Sequence, residues 1–387
     1  MARKPGWLNA WKVLSQAATR STVRTQKKVG KAMSKAVAEA LAETTTRQIR
    51  QARQTTRQAL NGVVSPAPPP ISRGSGQWLE GRWGLGPLAQ RSYCLFVPDA
   101  ASKSRPVSLL VLLHGCGQDA ASFAASTHAA RVARSANCMI LLPEQSSQAN
   151  AQRCWNWFRS DLRVAAEAGL LMSIIEHVCS QQAVLQERVY LLGMSAGGSM
   201  ALTLALRFPQ RFAAVVSHSG AVPHSARNAV QASQAMHGHR GPDVQALRLA
   251  LAGRQAPPLL LIHGETDRTV VPDNALASVA LWLELFPHAA HARPAPGHGR
   301  DIRRGTRRPY NVVDWKLAGQ PCIRLIRVAG LAHAWSGGHA KQAFSDPAGP
   351  DALKLALRFF DECPHYASSS PAGKRRGQGP APILRTG

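Results

Sequence analysis

Short apolar runs alternate with longer amphipathic segments through the middle of the chain. Strands that alternate with helices are typical of a largely parallel β-sheet that is covered by helices on both faces. The sequence therefore predicts an α/β fold in which loops at the carboxyl ends of the strands carry the function. The runs predicted as strands are 93–97, 107–113, 138–142, 188–192, 213–217, 258–262 and 323–328. The predicted helices lie near 120–135, 164–179, 196–208, 275–286 and 349–361.

The amino-terminal part of the chain has a helical rather than an α/β pattern. Residues 1–64 are rich in lysine and arginine and predict a basic, amphipathic helical arm. Within this arm, residues 1–60 have the charge and apolar spacing of a segment that attaches to a polyester granule, an anionic membrane or a polyanion. A solvated helical tail explains the same pattern. No specific nucleic-acid partner is expected, because no known binding motif is seen. The apolar positions and tryptophans of the arm are Val29, Met33, Val37, Leu41, Trp7 and Trp11.

Composition marks two further boundaries. A proline-rich linker is predicted at 65–72, and the α/β domain is predicted over 73–365. Residues 366–387 contain four basic residues and no acidic one, and they predict a basic disordered tail. The formal net charge is +26, and residues 1–70 hold 13 basic residues against two acidic ones. More than half of the excess positive charge therefore lies on the terminal segments, where it indicates attraction to polyanions rather than a fold.

Composition also excludes several classes of protein. With 45% hydrophobic residues, the chain can bury a substantial core. No stretch approaches 18 uninterrupted apolar residues, so no transmembrane segment is predicted. The first 25 residues lack the unbroken apolar run of a secretory signal, which favours a cytoplasmic location. The seven cysteines form neither a CxxC pair nor a zinc-like spacing, so no metal site is predicted.

A glycine–serine motif follows the predicted strand 188–192. It reads Gly193-Met194-Ser195-Ala196-Gly197 and leads into an apolar helical run. Strand, Gly-x-Ser-x-Gly and helix together form a nucleophile elbow, in which a sharp turn raises the serine hydroxyl above the sheet. The sequence therefore predicts that Ser195 is a nucleophile at the amino end of a helix.

The loop after the predicted strand 107–113 is rich in glycine and reads HGCGQ. Acyl transfer needs N–H donors for the oxyanion of the tetrahedral intermediate, and in this architecture one comes from such a loop. The other donor is the amide of the residue that follows the nucleophile. We therefore predict an oxyanion hole formed by the amides of Cys116 and Ala196.

Two later loops supply an acid and a base in the order Ser, Asp, His that this architecture uses. Asp267 follows the predicted strand 258–262, and His333 follows 323–328. His333 would take the hydroxyl proton from Ser195, and Asp267 would orient His333. The alternatives that remain open are Asp273 and Glu265 for the acid, and His339, His298 and His291 for the base.

Aromatic residues cluster in the segment CWNWF at 154–158. Trp155 and Trp157, together with Trp335, are predicted to line a pocket for an acyl or alcohol group, although packing in the core explains such a cluster equally. Cys116 and Cys154 are hypothesised to bridge their two loops by a disulfide. A very basic segment at 293–308, with six arginines and one aspartate, is expected near the site.

Seven separated stretches together carry a family resemblance. They are HGCGQ 114–118, LLPEQ 141–145, CWNWF 154–158, GMSAGGSMA 193–201, HGETDRTV 263–270, GLAHAWSGG 330–338 and FSDPAGPDALKLALRFF 344–360. On these stretches, the chain from about 90 to 362 resembles the esterase family that includes polyhydroxybutyrate (PHB) depolymerases, and it is also similar to feruloyl and acetylxylan esterases. The resemblance implies an α/β-hydrolase fold, a triad of Ser195, Asp267 and His333, and an oxyanion loop at Cys116. It implies a serine esterase that hydrolyses short-chain acyl or hydroxyacyl esters, of the type of oligomeric or polymeric hydroxybutyrate (a polyhydroxyalkanoate), through an acyl-serine and without metal or organic cofactor. A carbohydrate esterase of the feruloyl or acetylxylan type is the alternative, and the resemblance makes an extracellular location the alternative to a cytoplasmic one.

Overall fold

A central β-sheet of 11 strands organises the described part of the chain. The computed structural model describes residues 76–85, 89–286, 294–305 and 307–363. The predicted arm, linker and tail lie outside these residues, so they and the domain boundaries stay predictions. Among the described helices, none is long and apolar enough to cross a bilayer.

The strands in the middle of the sheet run parallel to one another. The strands are β1 (Gln77–Leu85), β2 (Ala89–Val97), β3 (Val107–Leu113), β4 (Met139–Pro143), β5 (Val184–Met194), β6 (Ala214–His218), β7 (Leu259–Gly264), β8 (Ala295–Pro296), β9 (Arg300–Ile302), β10 (Tyr310–Leu317) and β11 (Gln320–Val328). The order is β1-β2-β4-β3-β5-β6-β7-β11-β10-β8, with β9 also paired to β10. From β4 to β11 all neighbours are parallel, whereas β1, β2 and β10 pair with their neighbours in antiparallel fashion. Two further short strands, β12 (Trp335–Ser336) and β13 (Ser345–Asp346), pair with each other.

Helices cover both faces of the sheet. They are α1 (Ala120–Thr127), α2 (Ala129–Ala136), α3 (Asp161–Gln181), α4 (Ala196–Arg207), α5 (Ala229–Met236), α6 (Val244–Leu251), α7 (Asp273–Leu285) and α8 (Ala352–Glu362). One apolar core packs against α3 to α7 and another against α1, α2 and α8. Successive side chains of a strand point to opposite faces, so Leu109 and Val111 of β3 enter the first core and Leu110 enters the second. The predicted α/β-hydrolase architecture of a mostly parallel, two-sided sheet is confirmed.

Each of the seven apolar runs predicted as strands overlaps an observed strand, but β1 and β10 were not predicted. β1 is an edge strand in which polar residues interrupt the apolar ones, and its Trp78 and Trp83 are 38% and 40% exposed. Buried and half-buried positions alternate through most of β10, and β10 contains Asp314 and Lys316. Both strands therefore lack the continuous apolar run that marks a strand buried on both faces.

Candidate active site

Ser195 lies in the turn between β5 and α4, with φ 55° and ψ −119°. A positive φ is strained for a residue with a side chain, and it places Ser195 where the strand turns sharply into the helix. The flanking glycines make the turn possible. A Cβ atom on Gly193 would lie 2.1 Å from the carbonyl oxygen of Gly197, and one on Gly197 would lie 2.1 Å from that of Leu113. No side chain fits at either position without moving backbone.

Three side chains from separate loops form a continuous hydrogen-bonded chain. Ser195 Oγ lies 2.9 Å from Nε2 of His333, and Nδ1 of His333 lies 2.7 Å from Oδ2 of Asp267. Their loops follow β5, β11 and β7, whose parallel carboxyl ends meet at the same edge of the sheet. The structure therefore brings together three residues that lie far apart in the sequence.

Asp267 is 2% exposed and is surrounded by hydrogen-bond donors. Its Oδ1 accepts from the amides of Thr269 and Val270, each at 2.9 Å, while Oδ2 faces His333. Burial by itself would raise the pKa of Asp267, but the hydrogen bond and charge of His333 and the amide of Val270 outweigh it, so the pKa is lowered. Asp267 is therefore a carboxylate at neutral pH and accepts the Nδ1–H of His333. This leaves Nε2 as the nitrogen that faces the Ser195 hydroxyl.

The alternative acids and bases lie elsewhere. Asp273 is in the exposed first turn of α7, and Glu265 is exposed. His339 lies beside His128, with 5.5 Å between ring centroids, and His298 is exposed. His291 lies outside the described residues. Within the described part of the chain, none of these side chains hydrogen-bonds to Ser195 or His333.

The glycine-rich loop after β3 lies against the elbow. A Cβ atom on Gly115 would be 3.6 Å from Cβ of Ser195. The amides of Gly115 and Gly117 donate to Oε1 of Gln118 and to the carbonyl of Gln152, at 2.9 and 2.7 Å. Among the described residues, the Cys116 amide has no such partner. Ala196 is the first residue of α4, and the first amides of a helix have no partner within it.

A disulfide joins Cys116 to Cys154, as hypothesised from the sequence. It ties the loop after β3 to the segment that contains CWNWF. A buried carboxylate also holds that segment, because Oε2 of Glu167 accepts a hydrogen bond from the backbone N–H of Asn156 at 2.6 Å. Gln145 donates from Nε2 both to Glu167 and to the carbonyl of Cys154, the latter at 3.1 Å. Burial raises the pKa of Glu167 although these donors and Arg91 oppose it.

The three tryptophans predicted to line the pocket are buried instead. Trp155, Trp157 and Trp335 are 0%, 4% and 1% exposed. Trp155 donates its indole N–H to the carbonyl of His114 at 3.0 Å, and Trp335 stacks on His218 with 5.0 Å between ring centroids. Side chains this deeply buried offer almost no surface to a ligand. The prediction is therefore corrected: these tryptophans are part of the core, and Trp155 and Trp335 contact the loops of the site from there.

Three buried histidines hold the site loops, and none of them was expected from the sequence to have a role there. His114 donates from Nδ1 to the carbonyl of Gly115 at 2.7 Å and accepts from the Gln145 amide at 3.1 Å. Nε2 of His218 accepts from the amide of Ser336, close to His333, at 3.1 Å. His263 contacts the carbonyl of Val270 at 2.8 Å and so fixes the loop of Asp267. Their shared signal is their position at or just after the carboxyl end of an apolar run.

These histidines predict a loss of stability in acid. Burial is the main cause that lowers the pKa of His114 from 6.5 to about 4 and that of His218 to about 3. Below pH 6.5 the unfolded chain therefore binds protons that the folded chain does not, so stability is complete above 6.5 and falls as the pH drops. Between pH 7.5 and 5.0, we expect His114 and His218 each to reduce the free energy of unfolding by about 2 kcal/mol, measured by urea denaturation.

The matched variants are His114→Gln and His298→Gln. The first removes one buried histidine and is expected to reduce the pH-dependent loss of free energy by about 2 kcal/mol, whereas the second removes an exposed histidine and should leave that loss unchanged. A free energy of unfolding that is constant between these two pH values in the unmodified chain would contradict the assignment.

The disulfide predicts a stability difference that depends on redox state. It closes a loop with a sequence separation of 38, for which the loss of chain entropy gives a stabilisation of about 4 kcal/mol. The double variant Cys116→Ser/Cys154→Ser is expected to lose about this much free energy of unfolding relative to the oxidised chain. Dithiothreitol should lower the stability of the unmodified chain and leave the variant unchanged. An equal response of both proteins to the reductant would contradict the prediction.

Comparison with known proteins identifies the family of this chain. The family model described as esterase PHB depolymerase matches residues 91–303, which include Ser195 and Asp267. The chain belongs to this family. A poly(3-hydroxyalkanoate) depolymerase C of Paucimonas lemoignei is 30% identical over 249 residues, which cover 61% of this chain and 56% of that protein. A poly(3-hydroxybutyrate) depolymerase of Ralstonia pickettii is 25% identical over 60% of this chain and 48% of its own length. This family member thus spans about half the length of these two relatives.

This family member is also similar to a feruloyl esterase and to a solved esterase structure. Feruloyl esterase B of Neurospora crassa is 26% identical over 219 residues, which cover 53% of this chain and 73% of that protein. An acetyl xylan esterase from Aspergillus awamori aligns with a TM-score of 0.55 and 15% identity, over 74% of this chain and 99% of that one. This last similarity concerns the fold alone.

Proposed function

We propose that this chain is a serine esterase that hydrolyses short-chain acyl or hydroxyacyl esters through an acyl-serine intermediate. The observation that carries the proposal is the unbroken hydrogen-bonded chain from Asp267 through His333 to Ser195 at the strained turn. Ser195 is the nucleophile, His333 the base and acid, and Asp267 the residue that orients and stabilises His333.

In the acylation step, Nε2 of His333 takes the proton of the Ser195 hydroxyl as Oγ attacks the ester carbonyl. The carboxylate of Asp267 stabilises the imidazolium that forms, and burial among two backbone amides keeps the carboxylate in place. His333 then gives the proton to the leaving alcohol, and the acyl-serine remains.

The oxyanion of the tetrahedral intermediate is held by the amides of Cys116 and Ala196. Ala196 opens α4, whose positive end favours the negative charge that develops beside Ser195. The disulfide and the hydrogen bonds of His114 hold the loop of Cys116 against the elbow, so this donor needs no reorganisation during the reaction. A water molecule, activated by His333, then attacks the acyl-serine and releases the acid.

The substrate class that best fits the comparisons is an oligomeric or polymeric hydroxyalkanoate. The family model is described as esterase PHB depolymerase, and two relatives are named as depolymerases of poly(3-hydroxyalkanoate) and poly(3-hydroxybutyrate). A carbohydrate esterase of the feruloyl or acetylxylan type is the second candidate. The observation that favours it is that the chain covers 73% of the length of a feruloyl esterase B, against about half of the depolymerases.

A panel of esters tests the proposal and separates its two forms. Purified chain is assayed for kcat/KM with p-nitrophenyl butyrate, trimeric 3-hydroxybutyrate, amorphous poly(3-hydroxybutyrate), methyl ferulate and acetylated xylan. We expect hydrolysis of the butyrate ester, and a kcat/KM for the hydroxybutyrate trimer that exceeds that for methyl ferulate at least about tenfold, which corresponds to about 1.4 kcal/mol in the transition state. A preference for the ferulate or acetyl ester would support the second candidate. No turnover of any ester would contradict the esterase.

A further inference from the structure

A cavity of about 610 Å³ lies apart from the candidate active site. Its wall is formed by α2, α8, the loop between β9 and β10, and the segment between β12 and β13. The volume falls in the range of about 300–1,000 Å³ that is typical of small-molecule sites. Neither the triad nor the oxyanion loop contributes to this wall.

The charge of the cavity is strongly one-sided. Seven arginines and lysines line it, against one carboxylate, that of Asp351. Like charges gathered around a concave surface repel one another and concentrate counter-ions in the space between them. Within the described part of the chain, five of the seven form no ion pair. These five are Arg131, Arg304, Arg307, Lys341 and Arg358.

Two of the guanidinium groups are held in place before any ligand binds. Arg307 donates from Nη1 to the carbonyls of Pro347 and Gly349, at 3.2 and 2.6 Å. Arg308 donates from Nε to Asp346 at 2.7 Å. A guanidinium carries five N–H donors, so both groups retain donors for an anion. Such fixed forks match the oxygens of phosphate groups and lose little side-chain entropy on binding.

We infer that this cavity binds a small molecule that carries two or more linked phosphate groups. A single phosphate would leave most of the seven cations without a partner, whereas a condensed phosphate brings several negative charges into one small volume. Arg131 from α2 and Arg358 from α8 approach from different elements, together with Arg304 and Arg307 from the loop. The site is separate from the proposed esterase function, and its test does not depend on ester hydrolysis.

Isothermal titration calorimetry on the full chain tests the inference, in about 150 mM salt so that diffuse surface attraction is screened. The probes are inorganic tripolyphosphate, ATP, citrate and a single-stranded oligonucleotide. The variant Arg131→Gln/Arg358→Gln removes two cations from the cavity. The control Arg105→Gln/Arg163→Gln removes two exposed arginines elsewhere and so has the same net charge. A thermal melt of each protein, including the single variants, shows whether that protein folds.

Tripolyphosphate is expected to bind the unmodified chain and the control saturably, with one molecule per chain, and at least about tenfold more weakly to the cavity variant. If ATP binds more tightly than tripolyphosphate, the ligand is a nucleotide. If the two are equal, the ligand is a free condensed phosphate, and either result supports the inference. The inference is overturned if citrate binds as tightly as tripolyphosphate or if the control weakens as much as the cavity variant. The inference is likewise overturned if the unmodified chain binds the single-stranded oligonucleotide but not tripolyphosphate, and the cavity variant loses binding of the oligonucleotide.

Discussion

Replacement of Ser195 by alanine is expected to lower kcat for p-nitrophenyl butyrate by about 10⁵-fold or more. The variant keeps the oxyanion donors and the substrate surface but has no nucleophile, so no acyl-enzyme forms. Alanine removes only the Oγ atom from a turn that is otherwise held by the Ser195 amide, which donates to the carbonyl of His218 at 2.9 Å. The thermal melt is therefore expected to stay nearly unchanged.

The control for this prediction is Ser135→Ala, which removes an exposed hydroxyl from α2. It should retain full activity. Reaction of the unmodified chain with a fluorophosphonate, followed by peptide mapping, should place one phosphonyl group on Ser195 and none in the alanine variant. Turnover by Ser195→Ala at the level of the unmodified chain would refute the assignment of the nucleophile.

Replacement of Asp267 by asparagine is expected to lower kcat by about 10⁴-fold. The carboxylate accepts the Nδ1–H of His333 at 2.7 Å, and its other oxygen accepts two amides, so its orientation is fixed. The asparagine amide can donate to Nδ1 of His333, which puts the imidazole proton on Nε2. Nε2 can then no longer accept the proton of Ser195. The neutral amide also no longer stabilises the imidazolium.

Asp273→Asn is the matched control, because the sequence left Asp273 as a competing acid. Its carboxylate lies in the exposed first turn of α7, where its negative charge interacts favourably with the positive end of the helix dipole. We expect a small loss of stability and no change in kcat. Equal losses of kcat in the two variants, or a larger loss in Asp273→Asn, would show that Asp267 is not the residue that orients His333.

The tryptophans show where reasoning from residue type fails. An aromatic cluster after a strand is equally typical of a pocket wall and of a packed core. Which of the two it forms depends on whether the rings are covered by other side chains. Here Trp155 and Trp335 are almost completely buried and pack against the buried rings of His114 and His218, so they belong to the core. The buried carboxylate of Glu167 escaped notice for a similar reason, since a glutamate in a helix is usually exposed.

Local patterns in the chain were enough to locate the buried strands and the turn that carries the nucleophile. Continuous apolar runs and a glycine–serine–glycine motif are local patterns, and local sterics permit few other structures for them. The three-dimensional fold was needed to show which histidine contacts Ser195, which acid contacts that histidine, and which basic residues share one cavity. Those outcomes depend on strand order and on packing between distant loops. Asp267 and Asp273 both follow β7 and lie close together in the sequence. Only Asp267 hydrogen-bonds to His333, whose loop follows the neighbouring strand β11.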